Sequence, residues 1–79
     1  MISSYSTSPI SGFVFHDRDA TTDANYEYIL YKSREGHMLL SKISKDNTEQ
    51  RFAYFDRTND RVSVWANRAT YTYVDIDKL

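Results

Sequence analysis

The most informative segment of the chain covers residues 26–45 and reads YEYILYK at 26–32, SREG at 33–36 and HMLLSKISK at 37–45. Two aromatic and aliphatic runs on either side of a polar segment that contains a glycine are typical of a β-hairpin. Tyrosines and an isoleucine crowded into the first run suit a pleated, half-buried surface. We therefore predict two antiparallel strands here.

A helix from Asp23 to Glu35 is the competing interpretation of the same stretch. Tyr26, Ile29 and Leu30 have helical spacing, and Gly36 stands where a helix C-cap would lie. We favour the strand because the β propensity of the tyrosines outweighs this spacing.

Shorter apolar runs before and after the hairpin predict the remaining strands. Polar turns separate these runs, which lie at 13–15, 51–56, 62–65 and 70–76. The pattern predicts a mainly β fold, a small antiparallel meander of about five strands that forms a curled sheet or a small barrel, with room for one short helix. An α+β fold is the alternative. We expect a flexible Ser/Thr-rich arm at residues 1–11 and a single β-rich domain at 12–79.

The composition is that of one small soluble domain. The chain has 79 residues, a formal net charge of -1, 41% hydrophobic residues and no cysteine. A disulfide scaffold, a thiolate metal site and a cysteine nucleophile are thereby excluded. No apolar run is long enough to cross a bilayer, and the N-terminus has no basic and apolar signal pattern. We expect a cytoplasmic protein without a membrane partner, and a whole small gene product.

Catalytic chemistry is not indicated by the residue pattern. The two histidines, His16 and His37, have no Gly-x-Ser-x-Gly elbow or comparable nucleophile motif nearby. Paired carboxylates lie in predicted turns, and no glycine-rich phosphate loop is present. We expect that the protein is not an enzyme and uses no cofactor.

The acidic loop before the hairpin invites comparison with a calcium site. Asp17, Asp19 and Asp23 have the alternate spacing with which such a loop wraps its ion. However, Thr22 occupies the position that requires glycine, and Tyr28 the position that requires a bidentate glutamate. We predict a solvated loop and no metal site.

Two short segments resemble nucleic-acid-binding families. Residues 12–15 and 26–29 resemble the two aromatic motifs of cold-shock domains, but Ser11, Val14 and His16 depart from the pattern. The resemblance implies a barrel that stacks unpaired bases on aromatic rings.

Residues 51–55 resemble the core of the RNA-recognition-motif signature. Arg51 replaces its glycine and Arg57 its last aromatic residue, and that fold needs two helices that this pattern does not predict. A net charge of -1 argues against strong phosphate binding, although basic residues cluster locally at Arg51, Arg57, Arg61 and Arg68. A single-stranded nucleic-acid-binding barrel, which would use Phe13, Phe15 and Tyr28, is the alternative function.

Alternation along the last predicted strand assigns its faces. Residues 72, 74 and 76 share one side, whereas the other side carries Tyr71, Tyr73, Asp75 and Asp77. The acidic residues mark this second side as the solvent face. We therefore predict that both tyrosines are exposed. In the preceding strand, either Val64 or Trp65 must point away from the core.

A protein-interaction module remains as the function we predict. We expect an inhibitor or accessory factor, of the anti-defence type that phages and mobile elements encode, such as an anti-CRISPR protein, that occludes a larger host protein or nucleoprotein complex. Aromatic and arginine residues dominate such contacts. The predicted partner-binding residues are Trp65, Arg68, Tyr71, Tyr73 and Asp75, followed by Tyr26 and Tyr28. A homodimer would form by pairing of edge strand 70–76 with its copy.

Overall fold

The computed structural model describes residues 11–79. Four strands form one antiparallel sheet in chain order, and a short helix and a 3-10 turn follow them. The elements are β1 (Phe13–Asp19), β2 (Tyr26–Ser33), β3 (Met38–Ser44), β4 (Gln50–Phe55), α1 (Arg61–Ala66) and the turn Ile76–Lys78.

The predicted mainly β meander is confirmed, with four strands within residues 11–79 instead of about five. The sheet does not close into a barrel, since β1 and β4 are its two outer strands. No helix of the described part is long and apolar enough to cross a membrane. The predicted arm at 1–11 lies outside the described residues except for Ser11.

The central hairpin forms as a pair of strands and not as a helix. Leu30 lies opposite Leu40, and Tyr28 lies opposite Lys42. At the turn, the Ser33 amide donates to the His37 carbonyl at 2.9 Å, and Gly36 adopts a φ of 96° that favours glycine. The turn therefore sets the register of β2 against β3.

A β-bulge in β1 changes which of its side chains share a face. Phe15 pairs with Tyr31, but Asp17 pairs with Leu30, so His16 is the extra residue. Phe15 therefore lies on one face of the sheet, and Asp17 lies on the other with Asp19. The prediction of a strand limited to residues 13–15 was too short, because β1 continues to Asp19.

Both faces of the sheet are buried at its centre. On the helix-side face, a core forms from Tyr28, Leu30, Met38, Leu40, Ala53, Val64 and Tyr73. On the opposite face, a second core forms from Ile29, Tyr31, Leu39, Ile43 and Phe52, with Phe13 packed against it. The continuous apolar runs of β2 and β3 reflect this burial on two sides.

The predicted strand at 62–65 is wrong, because these residues form α1. The Asp60 carboxylate caps the helix by accepting from the Ser63 amide at 3.0 Å. Val64 enters the helix-side core and Trp65 packs half-buried beside it. The cap and the packing of Val64 together outweigh the β propensity of the valines.

The predicted strand at 70–76 is also wrong, since only Val74 pairs with the sheet. Its amide and carbonyl bond to Phe52 on the outer edge of β4, at 2.9 and 2.7 Å. The chain therefore crosses this edge at one point and does not run along it. A homodimer through this segment stays a prediction, but the regular edge strand on which it depended does not form.

Candidate functional site

Three of the predicted partner-binding residues meet at one concavity on the helix-side face. We call it the tyrosine pocket, and its lining comprises Tyr26, Lys42, Glu49, Arg51, Tyr71, Thr72 and Tyr73. Strands β2, β3 and β4 supply Tyr26, Lys42 and Arg51, the turn before β4 supplies Glu49, and the segment that follows α1 supplies the other three. The crossing at Val74 holds this segment against β4, so the pocket is built between sheet and C-terminal segment.

Lys42 occupies the wall of the tyrosine pocket between aromatic rings. Its Nζ lies 4.3 Å from the centre of the Tyr26 ring and 5.5 Å from the centre of the Tyr73 ring. Both distances fall within the range of cation-π attraction. The side chains hold one another in place, which orders this part of the pocket.

The other side of the pocket combines a cation with a fixed ring. Arg51 lies beside Lys42 in the strand register, and its Nε is 3.7 Å from Asp75 Oδ1. The Tyr71 ring packs against Phe55 with ring centres 4.7 Å apart. Asp75 thus stands next to the pocket as the partner of one of its cations.

Tyr73 is buried, so the prediction that it faces solvent is wrong. It is 8% exposed, and its ring lies 6.1 Å from that of Tyr28, which is itself 3% exposed. The Tyr73 hydroxyl donates to the Arg68 carbonyl at 2.6 Å. Burial raises the pKa of Tyr73 above its ordinary value, so this donor keeps its proton. Tyr73 therefore lines the pocket and packs the C-terminal segment against the sheet.

Trp65 and Arg68 contact other parts of the chain outside the tyrosine pocket. The Arg68 guanidinium lies 4.5 Å from the centre of the Trp65 ring and donates to the Trp65 carbonyl at 2.8 Å. Its second terminal nitrogen is 2.5 Å from Asp19 Oδ2 at the end of β1. Arg68 therefore connects α1 to the sheet, because it stacks on Trp65 and pairs with Asp19.

Asp19 is strongly acidic because of this connection. Its hydrogen bond to Arg68 and those to the Thr21 and Thr22 amides hold the pKa of the carboxyl well below its usual range. A lowered folded-state pKa means that Asp19 stabilises the fold above the unfolded value of about 4, and that this contribution is lost as the pH falls below it.

We expect Arg68→Gln to lower the free energy of unfolding by about 2 kcal/mol at neutral pH, between the values for exposed and for buried ion pairs. The difference from the wild type should shrink as the pH falls below about 4, because the unfolded chain then binds a proton at Asp19 that the folded wild type, with its lowered pKa, does not bind. Urea unfolding at neutral and acidic pH measures both effects.

Arg51→Gln is the matched control for this prediction. Its pair with Asp75 is long, and the two side chains are 51% and 65% exposed. It should change stability by less than about 0.5 kcal/mol at either pH. Equal losses in the two variants would show that the Arg68 pair contributes no more than a surface pair.

Four residues of the pocket, Lys42, Glu49, Arg51 and Thr72, were not predicted as site residues. A signal for Lys42 was present in the sequence, because it follows Met38 and Leu40 at alternate positions and must share their face. The hairpin register then places it opposite Tyr28. The sequence places Arg51 in a local cluster of basic residues, but its position beside Lys42 depends on the register of β4.

The three aromatic residues expected to stack bases do not share one face, because Phe13 and Phe15 lie on the opposite face and Tyr28 on the helix-side face. Phe13 packs on the core of the opposite face, whereas Tyr28 is buried in the helix-side core. A stacking platform needs its rings exposed on one face. This arrangement disfavours the nucleic-acid surface that the cold-shock resemblance implied. Within residues 11–79, no three histidine or acidic side chains come together as a metal site.

Comparison of the chain with protein-family models, with curated proteins and with solved structures finds no match.

Proposed function

We propose that this chain is a protein-interaction module that acts as an inhibitor or accessory factor by binding and occluding a surface on a larger protein. The observation that carries the proposal is the tyrosine pocket, where half-buried Tyr26 and Tyr71 stand beside Lys42 and Arg51. Tyrosine offers a large, rigid contact area with a polar tip, and tyrosine and arginine are enriched among residues that dominate binding energy.

The size of the pocket supports a protein contact over a small-molecule site. Its volume is about 260 Å³, below the roughly 300–1,000 Å³ typical of small-molecule sites. It opens on a surface with the exposed Arg51 and Asp75 beside it, which resembles the polar rim of a protein interface. We therefore propose a binding function for this pocket.

The proposal keeps the partner class expected from the sequence. The partner is a larger host protein or nucleoprotein complex in the cytoplasm, and the module is of the anti-defence type, such as an anti-CRISPR protein. To test this part of the proposal, the partner is captured from host lysate and purified, and its own activity is measured with and without this chain.

Tyr71→Ala should weaken binding to the purified partner by about tenfold or more, the size of effect expected for a central aromatic contact. Since Tyr71 is only half-buried, we expect the variant to remain folded, with a loss of about 1 kcal/mol in stability. Calorimetric titration and thermal unfolding measure the two quantities.

The control variant is Tyr54→Ala, which removes a 48% exposed tyrosine from the opposite face of β4. It should bind the partner like the wild type. If both variants bind equally, the tyrosine pocket is not the contact surface.

Saturable quenching of Trp65 emission by single-stranded DNA or RNA, weakening steeply with salt, would instead favour the nucleic-acid function.

A further inference from the structure

We infer that the tyrosine pocket accepts an acidic side chain of the partner protein, held between Lys42 and Arg51. This inference rests on the proposed function and specifies the chemistry of the contact. Three features support it. They are the ion pairing of Lys42 and Arg51, the tyrosine side chains that line the pocket, and the positions of the acidic residues Glu49 and Asp75.

Lys42 is a partly buried cation that forms no ion pair with a carboxylate of residues 11–79. Among residues 11–79, the ion pairs are Arg18 with Glu27, Arg51 with Asp75 and Arg68 with Asp19. The Lys42 ammonium is attracted by the faces of two rings, and a ring face does not neutralise a unit positive charge. A carboxylate entering the pocket would form a charge-assisted hydrogen bond with it.

Arg51 carries a carboxylate partner that is easily exchanged. Its contact with Asp75 is 3.7 Å long, and more than half of each side chain is exposed. Such an exposed pair contributes little to stability. The contact shows that a carboxylate fits beside Arg51, and a partner's acid would add the contact with Lys42 that Asp75 does not make.

The walls of the pocket suit the stem of a glutamate or aspartate. Tyr26 and Tyr71 present ring surfaces, against which the methylene groups of an acidic side chain can pack. Glu49 also lines the pocket, but it is exposed, so solvent and salt screen its repulsion. Lys42, by contrast, is half-buried, so its charge is screened less than that of Glu49.

The test uses two acetylated and amidated pentapeptides of alanine that differ only in a central glutamate or glutamine. Each is titrated at millimolar concentration into the isotope-labelled chain, and the amide resonances are followed by NMR. The glutamate peptide should shift the amides of Lys42, Arg51 and Thr72 and bind about tenfold more tightly than the glutamine peptide. Equal shifts with both peptides, or none at these amides, would overturn the inference.

Charge-removing variants assign the effect to the pocket. The double variant Lys42→Gln with Arg51→Gln should lose the preference for glutamate, whereas Lys32→Gln, on β2 near its other end, should retain it. The same spectra show that each variant is folded. Failure of the peptide test together with a loss of partner binding in Tyr71→Ala means that the rings hold the partner without its acid. Unchanged partner binding in Tyr71→Ala removes the proposed site itself.

Discussion

Alanine at Leu39 and alanine at Leu40 should each lower the free energy of unfolding by about 3 kcal/mol, the middle of the range for leucine truncation in a packed core. The two residues are neighbours in β3, so their side chains point to opposite faces of the sheet. Both are 0% exposed. Leu40 packs in the helix-side core and Leu39 in the core of the opposite face. Because both faces of the sheet are buried, the two substitutions should lower the free energy of unfolding by about the same amount.

Urea or guanidinium unfolding of the two variants measures these costs. Val62→Ala is a suitable control because Val62 is 61% exposed on α1, and it should change stability by no more than about 0.5 kcal/mol. A small cost at Leu39 combined with a large cost at Leu40 would contradict the structure, since it would mean that the opposite face is exposed to water.

Tyr73→Ala should cost about 3 kcal/mol, as expected when a buried aromatic side chain is truncated. The substitution removes the ring that packs beside Tyr28 and the hydroxyl that bonds to the Arg68 carbonyl. Tyr73→Phe keeps the ring and should cost only about 1 kcal/mol, the typical net value of one hydrogen bond. The difference between the two variants separates ring packing from the hydroxyl contact.

Chemical unfolding followed by Trp65 emission measures both variants. Tyr54→Ala serves as the exposed tyrosine control and should cost less than about 1 kcal/mol. If Tyr73→Ala is no more destabilising than Tyr54→Ala, Tyr73 lies on the surface in solution, as simple alternation along residues 70–76 predicts.

The candidate site was predicted in part. Tyr26 and Tyr71 were selected as aromatic residues, and the structure places both at one pocket. The same composition argument predicts Trp65 and Arg68, yet these two stack on each other, and Arg68 pairs with Asp19. Residue type alone does not separate a contact with a partner from a contact within the chain, because the same rings and guanidinium groups suit both.

Asp19 illustrates a contact that no local pattern indicates. Alternation from Phe13 would place Asp19 on the same face as Phe15, away from Arg68. The bulge at His16 reverses this assignment and brings the carboxylate to the helix-side face. A bulge depends on how the strand bends against its neighbour, which is a tertiary property.

The central hairpin and the antiparallel meander can be deduced from the residue pattern alone. Its apolar runs have the length and β propensity of strands, and Gly36 supplies the backbone angle that the turn needs. These are local properties, so they can be deduced residue by residue. The conformation of residues 61–76 cannot be deduced in this way, because it depends on how these residues pack over the helix-side core. Val64 and Tyr73 complete the helix-side core, and this burial outweighs the strand preference of the segment that carries them.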